Sequence, residues 1–232
     1  MKASYIKYII KVILSIPNTV RFNIHYFGIG KMPVFVSYNV KLVKLGEKNS
    51  IHCEDKSFFS VLMGLTNGSF EQGRGKKSYF CHEKNSIINI GRNVSFNNNF
   101  HLTVHSDSEL SIGNNTKFNT NLVISCDKKI SIGNNCLFGW NINLLDGDGH
   151  YIYNQNKDIC NYPKEINIED NVWAASNVII LKGSNISNNS ILASGAVVCK
   201  EFKESNVIIG SNPGKIIKNN IFWKKEWIKR NT

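Results

Sequence analysis

A chain of 232 residues with 42% hydrophobic and 19% charged residues is long enough to bury a core, and only 17 glycines and 4 prolines exclude a collagen-like or disordered chain. The 28 basic residues exceed the 17 acidic ones, so the formal net charge of +11 favours anionic partners over cationic ones. The 33 asparagines and 30 isoleucines combine turn formers with β-branched residues, which predicts many short strands.

The N-terminal residues 1–84 are predicted to form an accessory segment. Residues 5–16 are apolar with two lysines, and they predict a short helix that Pro17 ends before it could span a membrane. Its apolar face could lie on a membrane surface or on the rest of the protein, and docking on the protein is favoured because short isolated helices are marginal. Residues 33–45 then alternate as a strand does.

A six-residue repeat follows this segment and predicts a parallel β-helix over residues 85–210. Every sixth position from Ile168 to Val198 is apolar, and the residue four positions after each of the first five is small or β-branched. Residues two apart on a strand share a face, so both series should point inward, and three such sides close one coil of about 18 residues. Isoleucine-glycine pairs at Ile90, Ile112 and Ile132 mark earlier coils.

Two regions depart from the repeat. Residues 146–165 form a polar and aromatic loop within a coil, which is where function is expected. Residues 211–232 form a basic C-terminal tail, in which Trp223 and Trp227 lie four apart and predict a helix that packs back on the coils.

Four stretches carry a resemblance to a known family: DGDGH at 146–150, NVW at 171–173, SGAVVCK at 194–200 and SNPGKIIK at 211–218. With the repeats they are similar to the hexapeptide-repeat acyltransferases, in the sugar O-acetyltransferase branch of maltose and galactoside acetyltransferases and of enzymes that modify capsule or lipopolysaccharide. The resemblance implies an all-β fold, a left-handed parallel β-helix, with the helical and strand segment before it and the helical tail after it. It also implies a homotrimer with acetyl-CoA between neighbouring β-helices, and no metal.

The implied reaction is acetyl-CoA-dependent O-acetylation of a sugar hydroxyl on a bacterial surface glycan by direct transfer. An alcohol needs a base as it attacks, and His150 resembles the catalytic histidine of the family. Asp148 or Asp146 could orient the imidazole, or both could cap a glycine-rich turn. Asp146 could also bind a sugar hydroxyl.

The resemblance implies further site residues. The Ser176 N–H would stabilise the oxyanion or bind the thioester arm. Ala174 and Ala175 stand where relatives usually carry Ile-Gly, which could alter the cofactor contact. The residues matched to cofactor contacts are Ala175, Ser176, Ser194, Cys199, Lys200, Lys215 and Lys218. The residues matched to acceptor contacts are Trp173, Asn121, Asp127 and Trp140, each of which could equally have a structural role.

Other function classes remain alternatives. The first is an N-acetyltransferase of an amino sugar nucleotide, since it needs the same cofactor groove. A minor one is a γ-class carbonic anhydrase, with His101, His105 and His150 as metal ligands. A third is a non-catalytic assembly protein. The six cysteines form no CxxC pair and no signal peptide is evident, which predicts a cytoplasmic protein without disulfides or zinc. No nucleic-acid partner is expected.

Overall fold

The computed structural model describes residues 3–65 and 77–226. Within these ranges the chain forms one helix, α1 (Ala3–Phe27), and 23 short strands. The strands are β1 (Val34–Val36), β2 (Val40–Lys44), β3 (Ile51–Cys53), β4 (Val61–Met63), β5 (Ser78–His82), β6 (Ile87–Ile90), β7 (Val94–Phe96), β8 (Phe100–Val104), β9 (Glu109–Ile112), β10 (Lys117–Phe118), β11 (Leu122–Cys126), β12 (Lys129–Ile132), β13 (Leu137–Phe138), β14 (Ile142–Leu145), β15 (Ile166–Ile168), β16 (Trp173–Ala174), β17 (Ile179–Leu181), β18 (Asn185–Ile186), β19 (Ile191–Leu192), β20 (Val197–Val198), β21 (Glu201–Phe202), β22 (Ile208–Gly210) and β23 (Lys215–Lys218).

The strands form three sheets that together make a parallel β-helix. The first sheet has the order β1-β4-β7-β10-β13-β16-β19-β22-β23, the second β2-β5-β8-β11-β14-β17-β20, and the third β3-β6-β9-β12-β15-β18-β21. Each coil contributes one strand to each sheet, and every pairing is parallel except that of β22 with β23. Seven full coils therefore stack before the chain reaches β22.

The predicted six-residue repeat forms the interior of the β-helix. In the third sheet, Ile112, Ile132, Ile168 and Ile186 pair in register from coil to coil. The apolar series from Ile168 to Val198 is buried throughout, and so is the series of small residues between its members. The core is thus a column of stacked side chains, which a single repeat could not bury alone.

Asparagine makes the corners between sheets. Many corner asparagines have positive φ, which asparagine tolerates better than most residues because its side chain can bond locally. At the corner between the first and second sheets they form a ladder in which each side-chain amide donates to the asparagine of the next coil: Asn99, Asn121, Asn141 and Asn177. The abundance of asparagine therefore reflects the number of corners.

The β-helix begins at Val34, well before residue 85, because the strands of residues 33–45 are β1 and β2 of its first coil. The earlier coils escape the sequence pattern because they are spaced irregularly. In the third sheet Ile51 pairs with Ile88, an interval of 37 residues, whereas Ile112 pairs with Ile132. The accessory part before the first coil is thus the helix and its connection.

Helix α1 continues past Pro17, where the sequence predicted its end, and runs to Phe27. Three polar side chains one turn apart, Ser15, Thr19 and Asn23, hydrogen-bond the free backbone edge of β1 and the residue two beyond it. Asn23 bonds both N–H and C=O of Val34 at 3.1 and 2.6 Å, and Thr19 bonds both groups of Val36 at 3.0 and 3.1 Å. Docking on the β-helix therefore supports the helix across the proline.

A buried network joins the end of α1 to the second coil. Tyr26 accepts the Gly46 N–H at 3.0 Å, so its hydroxyl proton points to His82 Nδ1, also at 3.0 Å. His82 Nε2 lies 3.1 Å from the Ser86 carbonyl and therefore carries the single N–H proton of the ring. Burial lowers the pKa of His82 below its ordinary value and raises that of Tyr26. The network is thus built for a neutral imidazole.

This network predicts that mild acid destabilises the protein. The unfolded state binds a proton at His82 more readily than the folded state, so the stability from neutral His82 falls as pH drops below about 6.5 and levels off below the folded-state pKa. Melting temperatures should fall more steeply across that window for the native protein than for His82→Gln, which keeps a donor and an acceptor but does not titrate. Equal slopes would contradict the assignment.

The described part of the C-terminal tail contains no helix. After β22 the chain turns back as β23. The Trp223 ring packs against Trp173 in a tilted contact with centroids 5.8 Å apart, and its indole N–H donates to the Asn171 carbonyl at 2.7 Å. The tail packs back on the coils, as expected, but up to Glu226 it does so as strand and irregular chain. Trp227, the partner in the predicted helix, lies outside the described residues.

Candidate functional site

The loop of residues 146–165 leaves the β-helix at the corner between the second and third sheets. It joins β14 to β15, and the register aligns its start with the neighbouring coils: Ser125, Leu145 and Leu181 are paired. The corner of the preceding coil therefore places Asp127 beside the loop, and that of the following coil places Lys182 there. We call this column of turns the loop corner.

Asp146 is fully buried and holds the neighbouring turn. Its carboxylate accepts the backbone N–H groups of Asp127, Lys128 and Lys129 at 2.5, 2.9 and 2.7 Å. Burial raises its pKa above the ordinary value, although the three donors oppose the shift. Because every one of these contacts is to backbone, Asp146 acts as a turn cap between two coils.

Asp148 belongs to a polar network that ties the loop to the β-helix. Its Oδ2 accepts from Lys182 Nζ at 2.5 Å and from Asn161 Nδ2 at 2.8 Å, and Lys182 also donates to the Asn161 carbonyl at 2.9 Å. The hydrogen bond from Lys182 lowers the pKa of Asp148 below its ordinary value. Asn161 Nδ2 further donates to the His150 carbonyl at 2.8 Å, so the network reaches the candidate base through its backbone.

The His150 side chain is exposed at the tip of this network. Among residues 3–65 and 77–226, its imidazole makes no hydrogen bond or ion pair, and neither Asp146 nor Asp148 orients it. Two glycines set the path of the backbone that leads to His150. A Cβ on Gly147 would lie 2.7 Å from Asp127 Oδ2, and Gly149 has a φ of 72°. The loop thus presents His150 outward with both ring nitrogens free.

His105 and Glu83 extend the loop corner into earlier coils. His105 Nε2 lies 3.1 Å from Ser125 Oγ and 4.0 Å from Asp127 Oδ1, and its Nδ1 lies 3.6 Å from Glu83 Oε2. Lys44 binds the other oxygen of Glu83 at 2.5 Å. Sequence reasoning considered His105 only as a metal ligand and missed Glu83, Asn161 and Lys182. Lys182 could have been found by counting 36 residues from Asp146, which is one coil of about 18 residues plus the inserted loop.

The histidines proposed as metal ligands in the carbonic anhydrase alternative do not lie together. The His101 ring packs against Tyr79 in a tilted contact with centroids 4.7 Å apart, whereas His105 faces Glu83 and Ser125. No group of three His, Cys, Asp or Glu side chains that could hold a metal ion occurs in the described part of the chain.

The remaining candidate residues lie at two corners of the β-helix and in its first sheet. The corner between the first and second sheets, opposite the loop corner, carries Asn121, Trp140, Ala175, Ser176 and Ser194. Asn121 is a member of the asparagine ladder there. The loop corner carries Asp127 and, two coils beyond the loop, Cys199 and Lys200, while Trp173, Lys215 and Lys218 lie in the first sheet. One copy of the chain therefore separates His150 from Ser176 by the width of the second sheet.

At the Ser176 corner, backbone groups are partly committed to the coil. The Asn177 N–H donates to the Trp140 carbonyl at 2.8 Å, and the Ser176 carbonyl accepts from Gly195 at 3.0 Å. The Ser176 N–H donates no backbone hydrogen bond among the described residues. The coil itself therefore provides no backbone acceptor for this N–H among the described residues.

The chain is similar to known acetyltransferases in both sequence and structure. No family model matches the chain. Galactoside O-acetyltransferase of Escherichia coli K12 is 33% identical over 140 residues, which are 60% of this chain and 57% of that protein. The crystallised polysialic acid O-acetyltransferase OatWY is 26% identical with a TM-score of 0.52, covering 84% of this chain and 91% of that one. The predicted resemblance to hexapeptide-repeat acetyltransferases is confirmed.

The structural similarity extends over most of the solenoid. The polysialic-acid-specific acetyltransferase NeuO has a TM-score of 0.61 at 24% identity over 81% of this chain and 83% of that one, a likeness of fold. The β-helix is therefore the left-handed one that the resemblance to the family implied. The chain spans about half the length of the curated relatives it matches by sequence.

Proposed function

We propose that this protein transfers an acetyl group from acetyl-CoA to a sugar hydroxyl of a bacterial surface glycan. The observation that carries the proposal is the His150 loop, which the Asp148–Asn161–Lys182 network holds against a β-helix of the acetyltransferase type. An exposed imidazole on a braced loop suits a base that must meet a large acceptor. The similarity to a galactoside O-acetyltransferase and to OatWY supports a sugar as that acceptor.

In the proposed reaction His150 takes the proton of the sugar hydroxyl while its oxygen attacks the thioester carbonyl. The carbonyl oxygen becomes an oxyanion, for which the Ser176 N–H of a neighbouring copy is the donor. Collapse breaks the carbon–sulfur bond, and the imidazolium returns the proton to the leaving thiolate. The acetyl ester and free CoA are formed with no acyl-enzyme and no metal.

Asp148 and Asp146 then have different structural roles. Asp148 keeps the loop in place through Lys182 and Asn161, and Asp146 caps the turn beneath it. Since neither carboxylate contacts the imidazole, the base works without a carboxylate partner from its own loop. Asp127, Trp140 and Trp173 are the residues that would contact the acceptor in this proposal.

A homotrimer would complete this site. His150 and Ser176 lie at opposite edges of the second sheet, so a cleft between two copies can bring the loop corner of one beside the Ser176 corner of the next. Ser194 and Ala175 share the Ser176 corner. Lys200, Lys215 and Lys218 are exposed on the last coils, where ammonium groups can meet the CoA phosphates, with Cys199 beside them. The six free cysteines fit a reducing cytoplasm.

The full chain should be tested for CoA release with a panel of sugars and amino sugars, with product analysis to show which atom is acetylated. We expect ester formation on a sugar hydroxyl. Acetylation of amines alone would move the protein to the amino sugar N-acetyltransferases, and CoA release without any acetylated product would contradict the proposal. Molar mass in solution tests the trimer, because a monomer with full activity would exclude a shared site.

The network predicts a role in positioning for Lys182. Lys182→Met leaves Asp148 without its cation, so the loop loosens, and kcat should fall about tenfold or more while KM for acetyl-CoA changes little. Lys182→Arg should restore part of the rate. Lys128→Met is the matched control, because Lys128 pairs with Glu165 at the same corner at 3.2 Å with both side chains exposed. A purely structural Lys182 would lower the melting temperature and leave kcat unchanged.

A further inference from the structure

Helix α1 exposes a row of large aliphatic side chains. Six of them are 45–57% exposed: Ile6, Ile10, Ile13, Leu14, Ile16 and Ile24. Single exposed aliphatic residues are ordinary, but a contiguous apolar face of this size on a water-soluble surface marks an interaction site. The hydrogen bonds between α1 and the β-helix are made by polar side chains on a different part of the helix surface.

The two faces of α1 are opposite each other. Ser15, Thr19 and Asn23 bond β1, while Phe22 and Tyr26 are buried in the core. At about 100° per residue, these five side chains centre on one side of the helix, and the six exposed aliphatic ones fall within an arc of about 160° on the other side. The apolar face therefore runs along the helix and points away from the body of the protein.

Charge selects the kind of surface that this face can meet. The first 46 residues contain seven basic residues and no acidic one, although the whole chain has 17 acidic residues. The basic residues are Lys2, Lys7, Lys11, Arg21, Lys31, Lys41 and Lys44, of which Lys44 is paired with Glu83. Pairing this face with the same face of a second copy would bring two strongly positive segments together. An anionic surface with an apolar interior satisfies both the charge and the aliphatic row.

We infer that α1 binds the surface of an anionic lipid bilayer, lying parallel to it with its aliphatic face in the interface and its basic residues at the headgroups. Among the described residues no helix is long and apolar enough to cross a membrane, so the contact is with one leaflet. The docked face stays on the β-helix, and the helix would tether the coils beside the membrane. This inference does not depend on the proposed acetyl transfer.

Flotation of the full chain with lipid vesicles tests the inference without any measurement of activity. The native protein should bind phosphatidylcholine vesicles that contain phosphatidylglycerol, bind weakly without the anionic lipid, and be released by salt. Ile10→Ser with Ile13→Ser should weaken binding about tenfold or more, because both side chains lie in the centre of the face. Both residues are exposed, so the variant should keep the native melting temperature.

The matched control is Ile87→Ser with Ile217→Ser. These two isoleucines lie on β6 and β23, away from α1, and are 42% and 53% exposed. This variant should bind vesicles as the native protein does. Unchanged binding by the α1 variant would overturn the inference, as would absence of binding to anionic vesicles by the native chain. A lower molar mass in solution for the α1 variant than for the native protein would also overturn it, because the face would then be buried between copies.

Discussion

Replacing His150 with alanine is expected to lower kcat for acetyl transfer by about 10² to 10⁴, because the acceptor hydroxyl then loses its proton to water alone. KM for acetyl-CoA should change little, since the base acts on the acceptor in the transition state. Steady-state kinetics with the best acceptor from the sugar panel measures both constants. The melting temperature should not move, because the side chain is exposed and has no hydrogen-bond partner among the described residues.

The control for this prediction is another exposed histidine. His52 lies on β3, four coils before the loop, and its ring contacts Asn89 and the Asn49 carbonyl. His52→Ala should keep native kcat. If His150→Ala transfers acetyl groups at the native rate, the base is another group. His105 would then be the first candidate, since it shares the loop corner through its contact with Asp127.

Replacing Asp146 with alanine is expected to destabilise the protein by about 3–5 kcal/mol, since three backbone N–H groups in a buried turn lose a charged acceptor together. For a chain of this size the melting temperature should fall by roughly 10 °C. Thermal and denaturant unfolding measure the loss. A loss of stability of this size would assign Asp146 a structural role in the turn and not a catalytic role.

Asp158→Ala is the control, because Asp158 is an exposed aspartate of the same loop. Among the described residues, its side chain accepts a hydrogen bond from Asn154 alone. It should stay within about 0.5 kcal/mol of the native protein. If Asp146→Ala instead unfolds at the native temperature while its kcat collapses, Asp146 takes part in catalysis and the cap is incidental.

The coils from Ile90 onward could be predicted because a solenoid repeats its packing along the chain, and so its sequence carries the period. The first coils could not, since irregular spacing such as that between Ile51 and Ile88 hides the period. Helix α1 passes Pro17 because hydrogen bonds to a strand edge compensate for a local breaker. Such bonds join residues whose spacing no local pattern reveals.

In the candidate site, too, some features could be predicted from the sequence and others could not. The loop and its histidine could be predicted because they interrupt a regular pattern. The partners of Asp146 and Asp148 could not, since they belong to the preceding and following coils. A carboxylate beside a histidine in sequence suggests a catalytic pair, but here the register between coils turns one carboxylate into a backbone cap and the other into a brace.

Each end of the first sheet is capped by an element that is not part of a coil. At one end, α1 occupies the hydrogen-bonding groups of β1, and at the other β23 pairs antiparallel with β22. New coils can therefore be gained or lost in the interior by duplication or deletion of repeats, because each coil presents the same edge above and below. Lengthening at either terminus would leave strand edges bare. A coil added beyond β1 or β22 would therefore have to displace α1 or β23 from the first sheet.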